Sequence, residues 1–82
     1  MRLPRDLSGE RLATSLGRMG YEISRQTGSH LRLTSTSRGA EHHITIPRHA
    51  VLKVGTLSAI LAEVGAYLEL SRGELLEQLF GR

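Results

Sequence analysis

Histidine is the residue of this 82-residue sequence best suited to acid–base chemistry, because an imidazole with a reference pKa near 6.5 exchanges protons around neutral pH. The chain has four histidines, at positions 30, 42, 43 and 49, and no cysteine. Thiol nucleophiles, disulfides and thiolate zinc sites are therefore excluded. Any proton transfer is assigned first to the histidines.

Cleavage of RNA without a metal needs three groups: a base for the ribose 2′-hydroxyl, an acid for the departing 5′-oxygen and a cation for the charged phosphorane. Imidazole can fill either proton role. Arginine suits the third role, because its paired N–H groups match phosphate oxygens. His30, His49 and Arg48 fit these roles, although the residues alone favour the simpler explanation that His30 is an ordinary exposed polar side chain.

The pair His42 and His43 is not expected to bind a metal. Neighbouring residues of a strand point to opposite faces of a sheet, so the two imidazoles cannot reach one ion together. Alternation places His42 on the buried face at the edge of the sheet and His43 on the open face. We expect no metal and no other cofactor.

The element that precedes His30 is predicted to be an amphipathic helix. Ser8 can cap its first turn, and Gly20 in the left-handed conformation can end it. One face carries apolar residues at helical spacing, and another carries polar and basic ones. The apolar face has Leu12, Leu16 and Met19, and the polar face has Arg11, Ser15 and Arg18.

Two alternating segments, Tyr21 to Arg25 and Ser29 to Thr34, predict a β-hairpin. Their apolar residues share a face if Gln26-Thr27-Gly28 forms a three-residue loop, with Gly28 in the left-handed position of a type I turn plus G1 bulge. This register predicts three cross-strand pairs. They are Ile23 with Leu31, Glu22 with Arg32, and Ser24 with His30.

A third strand is predicted from Glu41 to Ile46, after a polar connection from Ser35 to Ala40. Since this strand runs antiparallel to the second, its end lies beside the start of the second strand. The segment after it, Pro47-Arg48-His49, therefore leaves the sheet close to His30.

Two helices complete the chain. The first runs from Thr56 to about Val64, and the second is opened by a capping box from Ser71 to Glu74. Two amphipathic helices can cover the apolar face of three strands and leave the other face open. We therefore predict one domain over residues 1–82, an α+β fold with the α-β-β-β-α order of the double-stranded-RNA-binding domain and an extra short C-terminal helix.

Charge favours a polyanionic partner for the first two thirds of the chain. The net charge is +3, with nine basic and four acidic residues from Arg2 to Lys53 against two and four from Val54 to Arg82. A modest basic excess is also common on the surface of small domains.

We see no apolar run long enough to span a bilayer and no signal peptide, so a cytoplasmic protein without a membrane partner is expected.

Three motifs in order resemble the HicA family of mRNA interferases. They are Gly28-Ser29-His30, Ile46-Pro47-Arg48-His49, and Gly55-Thr56-Leu57 followed by Ile60 and Leu61. The resemblance extends over nearly the whole chain, from the helix that ends at Gly20 to the leucine-rich helix after Ser71. The His42-His43 pair is not explained by it.

The resemblance implies a toxin of a type II toxin–antitoxin system that takes part in stress responses. It implies that the toxin cleaves mRNA as an endoribonuclease and is neutralised by a HicB-type antitoxin. The catalytic histidine of the family falls on His30, with His49 as a possible helper. The residues expected to bind RNA are Arg25, Gly28, Ser29, Arg32, Arg48 and Lys53.

Two readings without catalysis remain open at this point. A non-catalytic RNA-binding module would use Arg11, Arg18 and Lys53 to contact the minor grooves of A-form RNA. A partner-binding domain would instead use the open sheet face only as a protein interface.

Overall fold

The predicted order of one helix, three antiparallel strands and two further helices is confirmed by a computed structural model, which describes residues 3–81. The helices are α1 (Gly9–Gly17), α2 (Val54–Leu68) and α3 (Arg72–Phe80), and the strands are β1 (Glu22–Gln26), β2 (His30–Arg38) and β3 (Ala40–Pro47). The sheet has the order β1-β2-β3, with both neighbouring pairs antiparallel. The chain is thus α+β with an open three-stranded sheet, as predicted.

Alternation along β2 and β3 creates the buried face of the sheet. Leu31, Leu33, Ile44 and Ile46 are each at most 4% exposed, whereas the residues between them are exposed or only half-buried. The helices cover this face with their own leucine-rich stripes. The buried hydrophobic side chains of the helices are those of Leu12, Ala13, Leu16, Leu57, Ile60, Leu61, Val64, Leu75, Leu76 and Leu79.

The first helix begins as predicted and ends earlier than predicted. The Ser8 hydroxyl accepts a hydrogen bond from the backbone N–H of Arg11, at 3.1 Å, and so caps the first turn. The α-helix ends at Gly17, and a turn follows in which Gly20 has a φ of 99°. Only this last residue of the turn needs the left-handed conformation that glycine adopts at low cost.

The predicted register of the first hairpin is wrong. Gln26 pairs with Leu31 and Arg25 with Arg32, and a bulge at Ser24 then shifts the register so that Ile23 pairs with Leu33. Gly28 is not in the left-handed region, so no G1 bulge forms in the turn. The extra residue needed to align the apolar faces is thus inserted within β1.

Two predicted pairs change as a consequence of this register. Glu22 faces Thr34 rather than Arg32, and Ser24 does not face His30. Because β1 lies at the edge of the sheet, Ile23 is 51% exposed despite facing the helix side.

The second hairpin is longer than predicted. Residues 35–38, expected to be a connection, extend β2 to Arg38, and β3 already starts at Ala40. Gly39 alone makes the turn, with a φ of 89°. A register shift between Ser35 and Arg38 accommodates it. The polar residues 35–38 can extend the strand because the hydrogen bonds between strands join backbone groups and do not require apolar side chains.

Both C-terminal helices form, but α2 is longer than predicted. It begins two residues before the predicted Thr56 and ends at Leu68, four residues after the predicted Val64, because Glu69 is left-handed with a φ of 59°. The capping box of α3 is confirmed, since the side chains of Ser71 and Glu74 each accept a bond from the backbone of the other. No single helix within residues 3–81 is long and apolar enough to cross a membrane.

Candidate functional site: the His30 end of the open sheet face

The loop that presents His30 is organised by one hydroxyl. Thr27 Oγ1 accepts hydrogen bonds from the backbone N–H groups of Ser29 and His30, at 3.3 and 3.0 Å. The N–H of Thr27 in turn donates to the carbonyl of His30, at 2.9 Å. These bonds tie residues 27–30 into a compact turn. His30 therefore stands as the first residue of β2, exposed on the rim of the sheet.

The imidazole of His30 has one nitrogen engaged by a neighbour and one directed elsewhere. Its Nδ1 lies 2.9 Å from Ser29 Oγ, and within residues 3–81 no side chain bonds to Nε2. A serine hydroxyl can either donate or accept, so it can serve both neutral tautomers and the imidazolium. The Ser29 contact can therefore persist in every protonation state of the ring, and Nε2 makes no side-chain hydrogen bond with residues 3–81.

Arg48 connects this loop to the first helix. Its guanidinium donates to the Thr27 carbonyl at 2.6 Å and to Glu10 Oε1 at 2.9 and 3.2 Å. Its backbone N–H donates to the Ser29 carbonyl at 2.8 Å. Arg48 thus holds the turn before His30 against α1, and much of its donor capacity is used within the protein.

Close packing of α1 on the end of β3 fixes the segment that carries Arg48 and His49. The Gly9 N–H donates to the His49 carbonyl at 3.0 Å. A Cβ on Gly9 would collide with the Pro47 carbonyl oxygen, so only glycine fits without movement. His30 pairs with Pro47 across the ladder, which places this segment beside the His30 turn.

The structure does not join His30 and His49 by a hydrogen bond. His49 is exposed two residues beyond Pro47, and its backbone carbonyl is engaged by Gly9. Among residues 3–81, no group bonds to its imidazole. The two histidines thus lie at the same end of the molecule without contacting one another through a hydrogen bond.

Arg25 and Arg32 face one another from β1 and β2. Both are exposed, and neither forms an ion pair with a residue of the described part of the chain. Directly paired residues share a face, and Arg32 lies two residues from His30, so all three side chains belong to the open face. The pair concentrates positive charge next to His30.

The remaining residues predicted to bind RNA lie at the margin of this site. Gly28 is exposed in the turn, where an added Cβ would meet nothing within 4 Å. Lys53 is exposed and occupies the N-cap position of α2, without a side-chain capping bond. Both positions are compatible with contact to an extended strand of RNA, but neither residue contributes a side-chain hydrogen bond to the His30 turn.

His42 packs at the opposite end of the sheet, on the helix side that alternation predicts. Its Nδ1 lies 2.7 Å from the Tyr21 hydroxyl, and its ring stacks on Tyr67 at a centroid distance of 4.7 Å. Burial of Tyr21 raises its pKa to about 12. This cluster anchors the β2–β3 hairpin to α2, because the Tyr67 hydroxyl also donates to the carbonyl of Ala40.

Two sets of contacts were missed by sequence reasoning. The Glu10 partner of Arg48 lies 38 positions away, and no local pattern indicates it. A chain of hydrogen bonds links Ser24, Thr34, His43 and Glu41 across the open face. The i, i+2 spacing of Glu41 and His43 was the only available signal for the second set, because it places both on one face.

Within residues 3–81, no three His, Asp or Glu side chains converge to form a metal site.

Comparison with known proteins identifies the family of the chain. Neither a curated protein nor a solved structure matches the sequence significantly. The family model described as "HicA toxin of bacterial toxin-antitoxin" matches residues 9–66. That stretch contains α1, the whole sheet and most of α2, including His30, Arg48 and His49. The chain therefore belongs to the HicA family, the toxin component of bacterial toxin–antitoxin systems.

Proposed function

We propose that this toxin is an endoribonuclease that cleaves mRNA without a metal, with His30 as its general acid/base. One observation carries the proposal: the unbonded Nε2 of His30 shares the open sheet face with Arg25 and Arg32, two cations without an ion-pair partner within residues 3–81. A proton acceptor beside paired cations suits a phosphodiester substrate.

In the proposed reaction, Nε2 of neutral His30 removes the proton of a ribose 2′-hydroxyl. The 2′-oxygen attacks the adjacent phosphorus, the bond from phosphorus to the 5′-oxygen breaks, and a 2′,3′-cyclic phosphate forms. Ser29 supports the required tautomer by accepting from Nδ1–H, and the same bond persists in the imidazolium. Proton transfer of this kind contributes roughly 10² to 10⁴ in rate.

The departing 5′-oxygen leaves as a hydroxyl once it receives a proton. His49 is the candidate donor, because its exposed imidazole belongs to the segment that follows Pro47, the ladder partner of His30. In the reverse assignment, protonated His30 acts as the general acid and supplies this proton, and His49 acts as the base. Arg25 and Arg32 would stabilise the charge that develops on the phosphorane oxygens.

The other residues of the site have supporting roles. Gly28 lets the RNA backbone approach the turn closely. Lys53 adds an electrostatic contact to the strand. Arg48 positions the His30 turn through its bonds to Thr27 and Glu10.

The products distinguish this mechanism from other hydrolases. The purified full chain is incubated with an mRNA in the presence of EDTA, and the new termini are identified. We expect 5′-hydroxyl and 2′,3′-cyclic phosphate ends, or the monophosphate that follows ring opening. Products that carry a 5′-phosphate, or intact RNA, would contradict the proposal.

A HicB-type antitoxin is the proposed protein partner. Because His30, Arg25 and Arg32 lie on the exposed face of the sheet, which none of the helices between residues 3 and 81 covers, one bound protein could block all three. In the cytoplasm, release of the toxin during stress would then allow mRNA cleavage. Addition of the antitoxin encoded by the neighbouring reading frame should inhibit cleavage in a stoichiometric manner, and an equimolar complex that still cleaves RNA would exclude this mode of inhibition.

A second candidate function, RNA binding without catalysis, is favoured by a cleft beside α1. Its volume is about 510 Å³, and Arg5, Arg11 and Arg18 line it between the N-terminal segment and the end of α3. Under this alternative, RNA would bind in a salt-sensitive manner and remain uncut, and Arg11→Gln would weaken binding more than His30→Ala.

A further inference from the structure

The open sheet face carries a hydrogen-bonded chain of four side chains that the proposed reaction does not use. Ser24 Oγ lies 2.7 Å from Thr34 Oγ1, Thr34 Oγ1 lies 2.7 Å from His43 Nδ1, and His43 Nε2 lies 2.7 Å from Glu41 Oε1. Each strand of the sheet contributes at least one member. Both nitrogens of the His43 ring are thereby fixed.

The Glu41 carboxylate determines which groups donate and which accept in this chain of hydrogen bonds. Ionised Glu41 can only accept, so His43 Nε2 must carry a hydrogen. In the neutral tautomer, Nδ1 then accepts from the Thr34 hydroxyl. The His43 side chain is 37% exposed. The ring is therefore an immobilised aromatic surface that is partly open to solvent.

His43 is too far from His30 to act on the same phosphate. Thr34, its ladder partner, is four residues from His30 along β2, which corresponds to about 13 Å at the usual strand rise. A strand of RNA cut at His30 and lying along the sheet would place over His43 a nucleotide that lies beyond the two nucleotides joined by the cut bond. Arg32 lies between the two histidines on the same face and would hold the intervening backbone.

Two other uses of the network fit less well. Thr34 would be a poor nucleophile, because the backbone N–H groups of a central strand are used in the ladder and cannot stabilise an oxyanion. A phosphate would be repelled by the Glu41 carboxylate. A nucleobase is favoured instead, since bases stack on histidine rings and donate amino hydrogens to glutamate.

We propose that His43 and Glu41 form a base-recognition subsite, which stacks one nucleobase near the cut and selects bases with an exocyclic amino group over uracil. The inference rests on the proposed ribonuclease function. Glu41 has the acceptor that the selection needs, because its Oε2 takes no hydrogen bond from residues 3–81. The His43 ring would provide the stacking energy, and Glu41 the discrimination.

The test compares wild type with His43→Ala, His43→Phe and Glu41→Gln in the full chain. Cut sites in a random-sequence RNA are mapped, and cleavage of one short RNA and of a dinucleotide is timed. Affinity for the same short RNA is measured separately in a His30→Ala background, where no cleavage is needed. A dinucleotide contains only the bond that is cut, so it serves as the control for folding and chemistry.

We expect the wild type to disfavour uracil at one position near the cut. His43→Ala should lose roughly 5- to 100-fold in affinity and in kcat/KM on the short RNA, the range expected for one stacked base, with the dinucleotide rate unchanged. His43→Phe should retain most of the affinity. Glu41→Gln should cleave well but no longer discriminate against uracil.

Each contrary result identifies which proposal fails. Unchanged affinity and cut sites in His43→Ala, with RNA still cleaved, would overturn the subsite while the ribonuclease function stands. Absence of cleavage by the wild type would overturn the ribonuclease function, and equal RNA affinity with and without His43 would then also overturn the subsite. The variants are also titrated with the antitoxin encoded by the neighbouring reading frame, and loss of antitoxin affinity with RNA affinity unchanged would overturn the subsite and assign the network to the protein interface.

Discussion

Arg25 of β1 lies directly opposite Arg32 of β2, on the sheet face that carries His30, and neither is in an ion pair with a residue between positions 3 and 81. Like charges that face one another across a ladder destabilise a sheet. A phosphate between the two guanidinium groups would reverse the sign of this interaction. Under the proposed function, the pair would therefore be unfavourable in the free protein and favourable in a complex with RNA.

Removal of one arginine of this pair should therefore have opposite effects on the stability of the fold and on the binding of RNA. For Arg25→Gln, we expect a free energy of unfolding that is unchanged or higher by about 0.5 kcal/mol. The slope of log affinity against log salt for single-stranded RNA should fall by about 0.7, the value for one phosphate contact. Arg72→Gln, which removes an equal charge from α3, is the control and should leave the slope unchanged.

Arg48 is predicted to act through the position of His30 rather than through phosphate binding. Arg48→Gln removes the bonds to Thr27 and Glu10 and should lower kcat roughly 10- to 100-fold, because a small displacement of a catalytic group is costly. The salt slope of RNA binding should not change. A slope reduced by about 0.7 with kcat retained would instead make Arg48 a phosphate ligand.

Gly9 is predicted to be intolerant of any side chain. Gly9→Ala places a Cβ against the Pro47 carbonyl and should lower the free energy of unfolding by about 1–3 kcal/mol, as overpacking does elsewhere. Thermal or urea denaturation measures the change. Gly17→Ala at the other end of the same helix is the matched control, because a Cβ there meets nothing within 4 Å. Equal stability of the two variants would contradict the packing described for α1 and β3.

Alkaline pH should destabilise the protein through Tyr21. Burial raises the pKa of this phenol from 10.0 to about 12 in the folded state. Between these values the unfolded chain has released its proton and the folded chain has not, so the free energy of unfolding falls as pH rises above 10. Denaturation at pH 9 and 11 should show this loss for the wild type. In Tyr21→Phe the loss should be smaller, and an equal loss would assign it to other groups.

The strands and helices could be predicted because their apolar spacing is regular. Leu31 and Leu33 alternate, as do Ile44 and Ile46, and burial follows that alternation. The register of the first hairpin could not be predicted in the same way. The apolar residues of β1 and β2 share one face only if the hairpin contains one extra residue. Either a glycine turn or a bulge within the strand can supply that residue. A bulge at Ser24 needs no special residue type, so the sequence contains no mark of it.

The site was only partly visible in the sequence. Antiparallel pairing predicts that the segment after Pro47 lies beside His30, and the ladder pair between these two residues confirms it. The engagement of Arg48 with Glu10 depends on how α1 packs against the sheet, which no local pattern encodes. The catalytic assignment of His30 stays a prediction, since its position makes the chemistry feasible without demonstrating it.

The rate of RNA cleavage by His30→Ala is the most direct test of the account. The substitution removes the imidazole from an exposed position, so the fold and the affinity for RNA should be retained. We expect the cleavage rate in EDTA to fall by roughly 10² to 10⁴ relative to wild type. A correctly folded His30→Ala protein that cleaves RNA at the wild-type rate would contradict the central claim.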